Sequence, residues 1–382
     1  MKNKIKTSLV IIFVMIIVNS CTNKPKADEV IIEGKLTGES FSQIVVEELT
    51  PDGVQKIDSV SVINNKFNIK LKVVETGFYF LRFSSTNFLS LILEPGSMIK
   101  IVAPADSLGY PTEITGCDEN LKMLELNHRL DGCYRVTDSL SKIFEKYQGT
   151  ELFDSVKVTI DSAYYDMFYS HKAWLQEYIH KNSASITTIV AFYQTLGRRS
   201  FFRSVDDFGI MQAIDNNLQK RYPKNKHVAK FHQLFLNQKV FEDQRLKAEA
   251  LLENGKQLPL IVLPNEKGEK MDVSKMVAPQ KLILFWNIKS LVDHPDKVLI
   301  KNGLNKYKVV AVSFDYQQEI WLGYAPKEYP HFTHLIDSDG LQGVLARTFN
   351  ITETNIPYFI LVDQKNQILS KGTSLKEVLG VK

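Results

Sequence analysis

Cysteine is scarce in this sequence, which has 382 residues and only Cys21, Cys117 and Cys133. So few cysteines exclude a disulfide-rich scaffold. The segment 118–132 has the pattern of a helix, which would separate the last two cysteines by roughly 24 Å, far beyond disulfide reach. Only a sharp break at Asp131-Gly132 would bring them together. We therefore expect two free, structurally inert thiols.

A strong charge imbalance is also missing. The formal net charge is +4, and Lys2, Lys4 and Lys6 supply three of those charges within residues 1–20, which contain no acid. The remainder carries 4 − 3 = +1, so charge gives no reason to expect nucleic-acid binding. Hydrophobic residues make up 44% and charged residues 24%, an ordinary globular composition. The length allows two or three domains.

The apolar run near the N-terminus is too short to span a membrane. Residues 8–18 read SLVIIFVMIIV behind a basic start, whereas a spanning helix needs about 20 apolar residues. A basic start followed by a run of this length is typical of an export signal. We therefore predict that residues 1–20 are a signal peptide.

The end of this run, Val18-Asn19-Ser20-Cys21, resembles the lipobox of bacterial lipoproteins, although Asn19 replaces the small residue usual there. The resemblance implies that Cys21 is lipidated and that residues 21–28 form a tether. It predicts a lipid-anchored protein of the cell envelope, in the outer membrane or facing the periplasm. An ordinary signal peptide followed by an incidental cysteine is the alternative.

Residues 29–117 show short alternating strands separated by turn signals. Pro51-Asp52-Gly53 predicts a turn, and Asn64-Asn65 predicts a hairpin between segments 57–62 and 66–71. Strands at this spacing predict an antiparallel β-sandwich.

The same segment resembles the N-terminal β-sandwich domain of unknown function that precedes a thioredoxin-like module in many Gram-negative lipoproteins. The residues that carry this resemblance are Ile32-x-Gly34-x-Leu36, Asp58-Ser59, Asn65-x-Phe67-x-Ile69, Leu93-Glu94-Pro95-Gly96 and Ile114-Thr115-Gly116.

Residues 118–252 have apolar residues three or four positions apart, which predicts four to six helices. The aromatic residues Tyr164, Tyr165, Phe168 and Tyr169 are predicted to pack between these helices. We place a domain boundary between this helical region and residues 258–382.

Residues 258–382 alternate between strand and helix patterns, which predicts a mixed α/β sheet. The predicted strands are 281–286, 307–315, 358–363 and 367–371, with helices at 340–348 and 374–379. In order, Phe285-Trp286, Trp321 and Asn355-Ile356-Pro357 resemble motifs of the thioredoxin-like thiol-disulfide interchange (AhpC/TSA-like) family of exported bacterial proteins. The resemblance implies a thioredoxin-like fold with a cis-proline at Pro357.

The dithiol of that family is missing. The resemblance places Ser290 at the position of the first cysteine and Asp293 at that of the second. Thioredoxin chemistry needs a thiolate at a helix N-terminus and a second thiol that resolves the mixed disulfide. A serine hydroxyl cannot exchange with disulfides at neutral pH, so we expect a redox-inactive domain without catalytic residues or a cofactor.

The remaining scaffold suggests a non-catalytic module that binds an envelope protein or peptide. Trp286, Ile356 and Pro357 are the candidate peptide-binding edge. One alternative is a periplasmic thiol-disulfide oxidoreductase acting through Cys117 or Cys133. Another is a structural envelope protein whose β-sandwich binds the partner.

Two further constellations are weaker. His331 and His334, with His294, have a spacing that could ligate a metal on a helix, but no third close ligand follows in sequence, so we expect no metal site. Ser290, Asp293 and His294 invite a hydrolase interpretation, but three neighbours in one loop lack the geometry of nucleophile, base and orienting acid.

Overall fold

The computed structural model describes residues 24–39, 41–292, 294–302 and 304–380. The predicted signal peptide, Cys21 and Asp293 lie outside the described residues. The chain divides into two compact units, Met1–Phe235 and Leu236–Lys382. Within the described ranges, none of the helices is both long and apolar enough to cross a membrane.

The first unit begins with two four-stranded sheets that pack as a sandwich around one hydrophobic core. Their orders are β4-β1-β7-β8 and β3-β2-β5-β6. This confirms the predicted sandwich, in which all the strand pairs are antiparallel except β1 with β7. The strands are β1 (Glu29–Thr37), β2 (Gln43–Thr50), β3 (Gly53–Ser61), β4 (Lys66–Lys72), β5 (Gly77–Arg82), β6 (Phe88–Leu93), β7 (Met98–Pro104) and β8 (Glu113–Thr115).

The turn at Asn64-Asn65 forms as predicted, but the hairpin does not. Both asparagines are left-handed, with φ of 52° and 59°, and a single bridge joins Ile63 to Lys66. Beyond that bridge β3 pairs with β2 and β4 pairs with β1. The turn therefore carries the chain from one sheet to the other, because each strand buries its apolar face against the opposite layer.

Two glycines of the sandwich leave no room for a side chain. Gly34 lies opposite Phe67 in the β1–β4 ladder, and a Cβ built there would lie 1.9 Å from the Phe67 ring. Gly116, which follows β8, has φ +97°, and its Cβ would lie 1.8 Å from the Met98 carbonyl oxygen. At Gly116 both the backbone conformation and the close contact require glycine.

The helical region begins in the same unit. Its described elements are α1 (Asp118–Tyr147), α2 (Phe153–Lys181), α3 (Thr187–Tyr193), the short pair β9 (Thr195–Leu196) and β10 (Arg199–Ser200), α4 (Phe208–Arg221) and α5 (Lys226–Leu251). The division between the two units falls within α5. Helix α1 runs through Asp131-Gly132 without a break, and Cys117 and Cys133 are free and buried, as expected.

The aromatic stripe on α2 is only partly buried. Phe168 is in the core and Tyr164 packs against it, but Tyr165 and Tyr169 are 46% and 57% exposed. The prediction of inter-helix packing was wrong for these two tyrosines. Each lies one position after a packed residue, which turns it about 100° around the helix toward solvent.

Helix α1 is tied to the sandwich through one buried side chain. Strand β6 is an edge strand of its sheet, so backbone groups along one side lack a strand partner. The fully buried Asn120 amide fills this gap at Ile92: its Oδ1 accepts the Ile92 N–H at 2.6 Å, and its Nδ2 donates to the Ile92 carbonyl at 3.1 Å. The side chain takes the place of a neighbouring strand.

His227 at the start of α5 is buried against the edge of the Phe78 ring. Burial, with a smaller contribution from Lys226, lowers the pKa of this histidine to about 4. The folded pKa lies below the unfolded value of about 6.5, so between these values the unfolded state binds more protons. The stability from neutral His227 is therefore present above pH 6.5 and is lost as pH falls toward 4.

Neutral His227 accounts for a loss of up to about 3 kcal/mol in the free energy of unfolding as pH falls. We expect His227→Gln to reduce this pH dependence. The measurement is urea unfolding at pH 7 and near pH 4.5 for both proteins. His180→Gln, an exposed site on α2, serves as the control. Equal pH dependence in wild type and His227→Gln would contradict the assignment.

The second unit carries a five-stranded sheet in the order β15-β14-β13-β16-β17. Strand β13 pairs in parallel with β14 and antiparallel with β16, and helices cover both faces. The described elements are β11 (Val262–Pro264), β12 (Lys270–Asp272), β13 (Gln280–Trp286), α6 (Ile288–Val292), α7 (Lys297–Asn302), β14 (Lys308–Ser313), α8 (Gln318–Glu328), β15 (Thr333–Ile336), α9 (Val344–Thr348), β16 (Tyr358–Asp363), β17 (Ile368–Gly372) and α10 (Leu375–Leu379).

This sheet, with a cis Ile356–Pro357 bond before β16, confirms the predicted α/β thioredoxin-like fold. Two local predictions were wrong. Strand β15 was missed because its four residues are too few to show a period. The helix predicted at 340–348 is a 3-10 turn (Gly340–Gln342) followed by α9, since extended backbone at Gly343 interrupts it.

Candidate functional site

The candidate site begins where β13 ends. Residues 282–286 are apolar and buried between two hydrophobic clusters, which fixes the end of this strand. The Trp286 side chain is fully buried and meets the Tyr329 ring edge-on, with centroids 5.7 Å apart. Its indole is part of the core and offers no surface to a peptide. Of the predicted edge, Ile356 and Pro357 remain.

Ser290 lies in the first turn of α6 and is committed to capping that helix. The Ser290 N–H donates to Asn287 Oδ1 at 2.8 Å, and the Asn287 N–H donates to Ser290 Oγ at 3.1 Å. Ser290 Oγ in turn donates to the Asn287 carbonyl at 2.8 Å. This reciprocal arrangement is a capping box. The hydroxyl at the position of the first cysteine therefore has structural partners on both its donor and acceptor sides.

The amide of Ile288, two residues before Ser290, donates to a carboxylate that follows the neighbouring strand β14. Asp315 follows β14 and accepts the Ile288 N–H at 3.1 Å through Oδ2. Ser313 Oγ–H donates to the same carboxylate oxygen at 2.7 Å. A redox-active thioredoxin site uses amides at a helix start to stabilise a thiolate. Here the chain's own Asp315 already accepts the amide of Ile288, the first residue of α6.

The cis-proline loop leads into the strand next to this region. Tyr358, directly after Pro357, pairs with Phe285 in the β13–β16 ladder. Pro357 is buried and Ile356 is half-buried. The loop therefore keeps its usual place in the fold, and Ile356 is the member of the predicted edge with an accessible side chain.

The structure does not place the histidines at a metal-ligating spacing on a helix. His331 is exposed in the turn before β15, and His334 is buried within β15, where its Nε2 bonds to the Tyr329 carbonyl at 2.8 Å. Neither lies on a helix, so the helical spacing considered for a metal does not arise. His294 Nδ1 accepts the Asp296 N–H at 3.1 Å. Across the described ranges, His, Cys, Asp and Glu form no group of three or more suited to a metal ion.

The two described cysteines, Cys117 and Cys133 of the first unit, have none of the features of a reactive thiol. Burial, followed by the charge of Glu94, raises the pKa of the Cys117 thiol to about 12. Burial also raises the pKa of Cys133, although Arg129 opposes the shift. Reactive cysteines instead have a lowered pKa and partial exposure.

Asn287 and Asp315 are site residues that sequence reasoning missed. An available signal was the capping-box spacing of Asn287 and Ser290 directly after a buried strand. Asp315 gave a weaker one, because an acid at the carboxyl end of β14 must come near the end of the adjacent parallel strand β13. The sheet order was needed to bring the two together.

These features define the C-terminal unit as a thioredoxin-like domain, similar to those of thiol-disulfide oxidoreductases, in a multidomain chain with a β-rich N-terminal region. Residues 30–123 match the family model described as "Domain of unknown function (DUF4369)". No curated protein matches the chain.

Several solved structures are similar to part of the chain. A thiol-disulfide oxidoreductase from Bacteroides fragilis is 26% identical, with 33% of this chain and 96% of that chain covered and a TM-score of 0.27. The thioredoxin domain of a thiol-disulfide oxidoreductase from Bacteroides vulgatus is 21% identical, with 31% and 88% covered and a TM-score of 0.26. A thioredoxin-like protein from Bacteroides caccae is 16% identical, with 59% and 82% covered and a TM-score of 0.29.

Proposed function

We propose that the C-terminal domain is a redox-inactive thioredoxin-like module that binds a protein or peptide of the cell envelope. The observation that carries the proposal is the start of α6. There Asn287 and Ser290 hydrogen-bond to each other, and Asp315 accepts the Ile288 N–H. The sequence supplies no cysteine after Cys133. The cis-proline loop, which in this fold faces an extended peptide, is kept.

Redox inactivity is tested by insulin reduction with dithiothreitol and by reduction of a glutathione mixed disulfide. We expect the full chain to match the rate without protein. The comparison is the double variant Ser290→Cys, Asp293→Cys, which restores the two thiols at the aligned positions. Wild-type turnover above background would refute the proposal, whatever the double variant does.

Peptide binding is tested with a photo-crosslinking amino acid placed at residue 356 of the full chain in its native envelope. The control places the same group at Val277, which is 87% exposed in the same unit. We expect a discrete adduct only from position 356. The same adducts from both positions would show non-specific contact and argue against a binding edge at the cis-proline loop.

The alternative in which Cys117 or Cys133 carries out thiol exchange predicts accessible, reactive thiols. Because both are buried with raised pKa values, we expect neither to react with Ellman's reagent in the folded chain at pH 8. Both should react on unfolding. Cys21→Ser removes the remaining cysteine as a control, and fast modification of the folded variant would revive the oxidoreductase alternative.

We also propose that lipid at Cys21 anchors the protein to a membrane of the envelope. The support is the lipobox-like sequence behind a signal-peptide pattern. Metabolic labelling with a tagged fatty acid should mark the wild type and leave Cys21→Ser unlabelled. Equal labelling of both proteins would eliminate this anchor.

A further inference from the structure

On the edge of β6, the backbone groups of Ser90 remain without a partner among the described residues. In the β5–β6 ladder Phe78 faces Ile92 and Phe80 faces Ser90, with no register shift. Because outward-facing groups recur every second residue, the N–H and C=O of Ser90 point away from β5 as those of Ile92 do. Asn120 fills the position at Ile92. For the Ser90 backbone, the described part of the chain provides no such partner.

Both neighbouring positions on this edge are obstructed. Asn120 occupies the position at Ile92, and the loop at Gly109 lies against the Phe88 carbonyl, which would be 3.0 Å from a Cβ at Gly109. An extended strand therefore cannot add along β6. The position left at Ser90 corresponds to one residue or one carboxamide of a ligand.

Ser90 lines a cavity of about 490 Å³ between β6, the loop at 106–110 and helix α1. This volume lies within the range typical of small-molecule sites. Its wall includes Asn127, Asp131 and Tyr110. The Tyr110 ring stacks on His128 at 4.6 Å and its hydroxyl donates to Asp131, so this wall is held in place. Asn127, half-buried on α1, supplies a further donor and acceptor.

We propose that this cavity binds a small peptidic ligand that offers an N–H and a C=O side by side to Ser90. The ligand's C=O accepts the Ser90 N–H, and its N–H donates to the Ser90 carbonyl. Asn120 makes this pairing two residues along the strand. A primary carboxamide has this geometry, as do the N–H and C=O of a single residue in a short peptide. The site is separate from the cis-proline loop and independent of its function.

Two probes distinguish a short peptide from a primary carboxamide as the ligand, and each is titrated against the full chain by calorimetry. N-acetyl-alanine methylamide presents the backbone of one residue, and propionamide presents a primary carboxamide. Methyl propionate keeps the acceptor and lacks the donor, so it is the control ligand. We expect saturable binding of at least one amide and none of the ester. Equal binding of the ester, or no saturation by either amide at millimolar concentration, would overturn the proposal.

Ser90→Pro removes the N–H that the ligand needs, at an outward edge position where proline breaks no ladder bond. We expect its affinity for the bound amide to fall about tenfold or more, the equivalent of one hydrogen bond. Ser90→Ala keeps both backbone groups and should bind as the wild type does. Unchanged affinity in folded Ser90→Pro contradicts the site.

Amide hydrogen exchange of the wild type gives a second readout that does not depend on the variant's folding. The Ser90 amide should exchange readily in the free protein and become protected at saturating amide. Binding without protection at Ser90 would place the ligand elsewhere and refute the proposal.

Discussion

Gly116→Ala should destabilise the first unit by about 4 kcal/mol or more, among the largest effects expected of a single methyl group. The φ of +97° is unfavourable for any residue with a side chain, and the new Cβ would lie 1.8 Å from the Met98 carbonyl oxygen. That oxygen belongs to the backbone of β7, so rotating a side chain cannot relieve the contact. The strand or the chain leading into α1 must move. Urea unfolding, monitored by circular dichroism, measures the loss.

Gly38→Ala separates the two causes. Gly38 also has a left-handed φ, +82°, but no atom of the described residues, apart from its chain neighbours, lies within 4 Å of its Cβ position. Gly38→Ala should therefore lose only the conformational strain energy, about 1 kcal/mol of unfolding free energy. If Gly116→Ala and Gly38→Ala lose similar stability, the close approach to Met98 contributes nothing and the assignment of glycine to packing is wrong.

Asn120→Ala should cost about 2–4 kcal/mol, because it leaves the N–H and the carbonyl of Ile92 buried without partners. Each group carries a desolvation cost once its hydrogen bond is gone. Alanine favours helices more than asparagine does, so a gain in helix propensity would offset part of the loss. Unfolding free energy is again the measurement, together with hydrogen exchange at Ile92, where protection should decrease.

Leu121→Ala, at the next position on α1, is the matched control, since that side chain is 54% exposed. It should change stability by less than about 0.5 kcal/mol. Asn120→Asp keeps the acceptor for the Ile92 N–H and removes the donor, so it tests the carbonyl side of the pair. A stability of Asn120→Ala equal to that of the control would mean that water replaces the amide.

Sequence patterns predicted the β-sandwich and the mixed α/β sheet because strand and turn signals act locally, whereas the thioredoxin-like fold was implied by the family resemblance. The left-handed turn at Asn64-Asn65 is one case: asparagine tolerates positive φ whatever lies beyond it. Which sheet each flanking strand joins is decided by packing of the two layers, a non-local property. For the same reason the aromatic residues of α2 were correctly assigned to a helix, but two of the four were wrongly assigned to its core.

At the site, the sequence located Ser290 and the cis-proline loop, since both lie next to recognisable strands. It did not reveal the contact between Ile288 and Asp315, which are 27 residues apart. Their proximity follows from the parallel pairing of β13 with β14. Trp286 ends an apolar run with the composition of a buried strand, and its full burial shows that it belongs to the core of that strand and not to the candidate edge.

The obstruction of the β6 edge also affects how closely copies of this protein can be crowded without aggregating. An open sheet edge is a template for strands from neighbouring molecules and therefore an aggregation hazard. With the position at Ile92 filled by Asn120 and that at Phe88 covered near Gly109, β6 cannot template a second chain. The high local concentration that the proposed lipid anchor would produce on a membrane surface is then compatible with the folded sandwich at this edge.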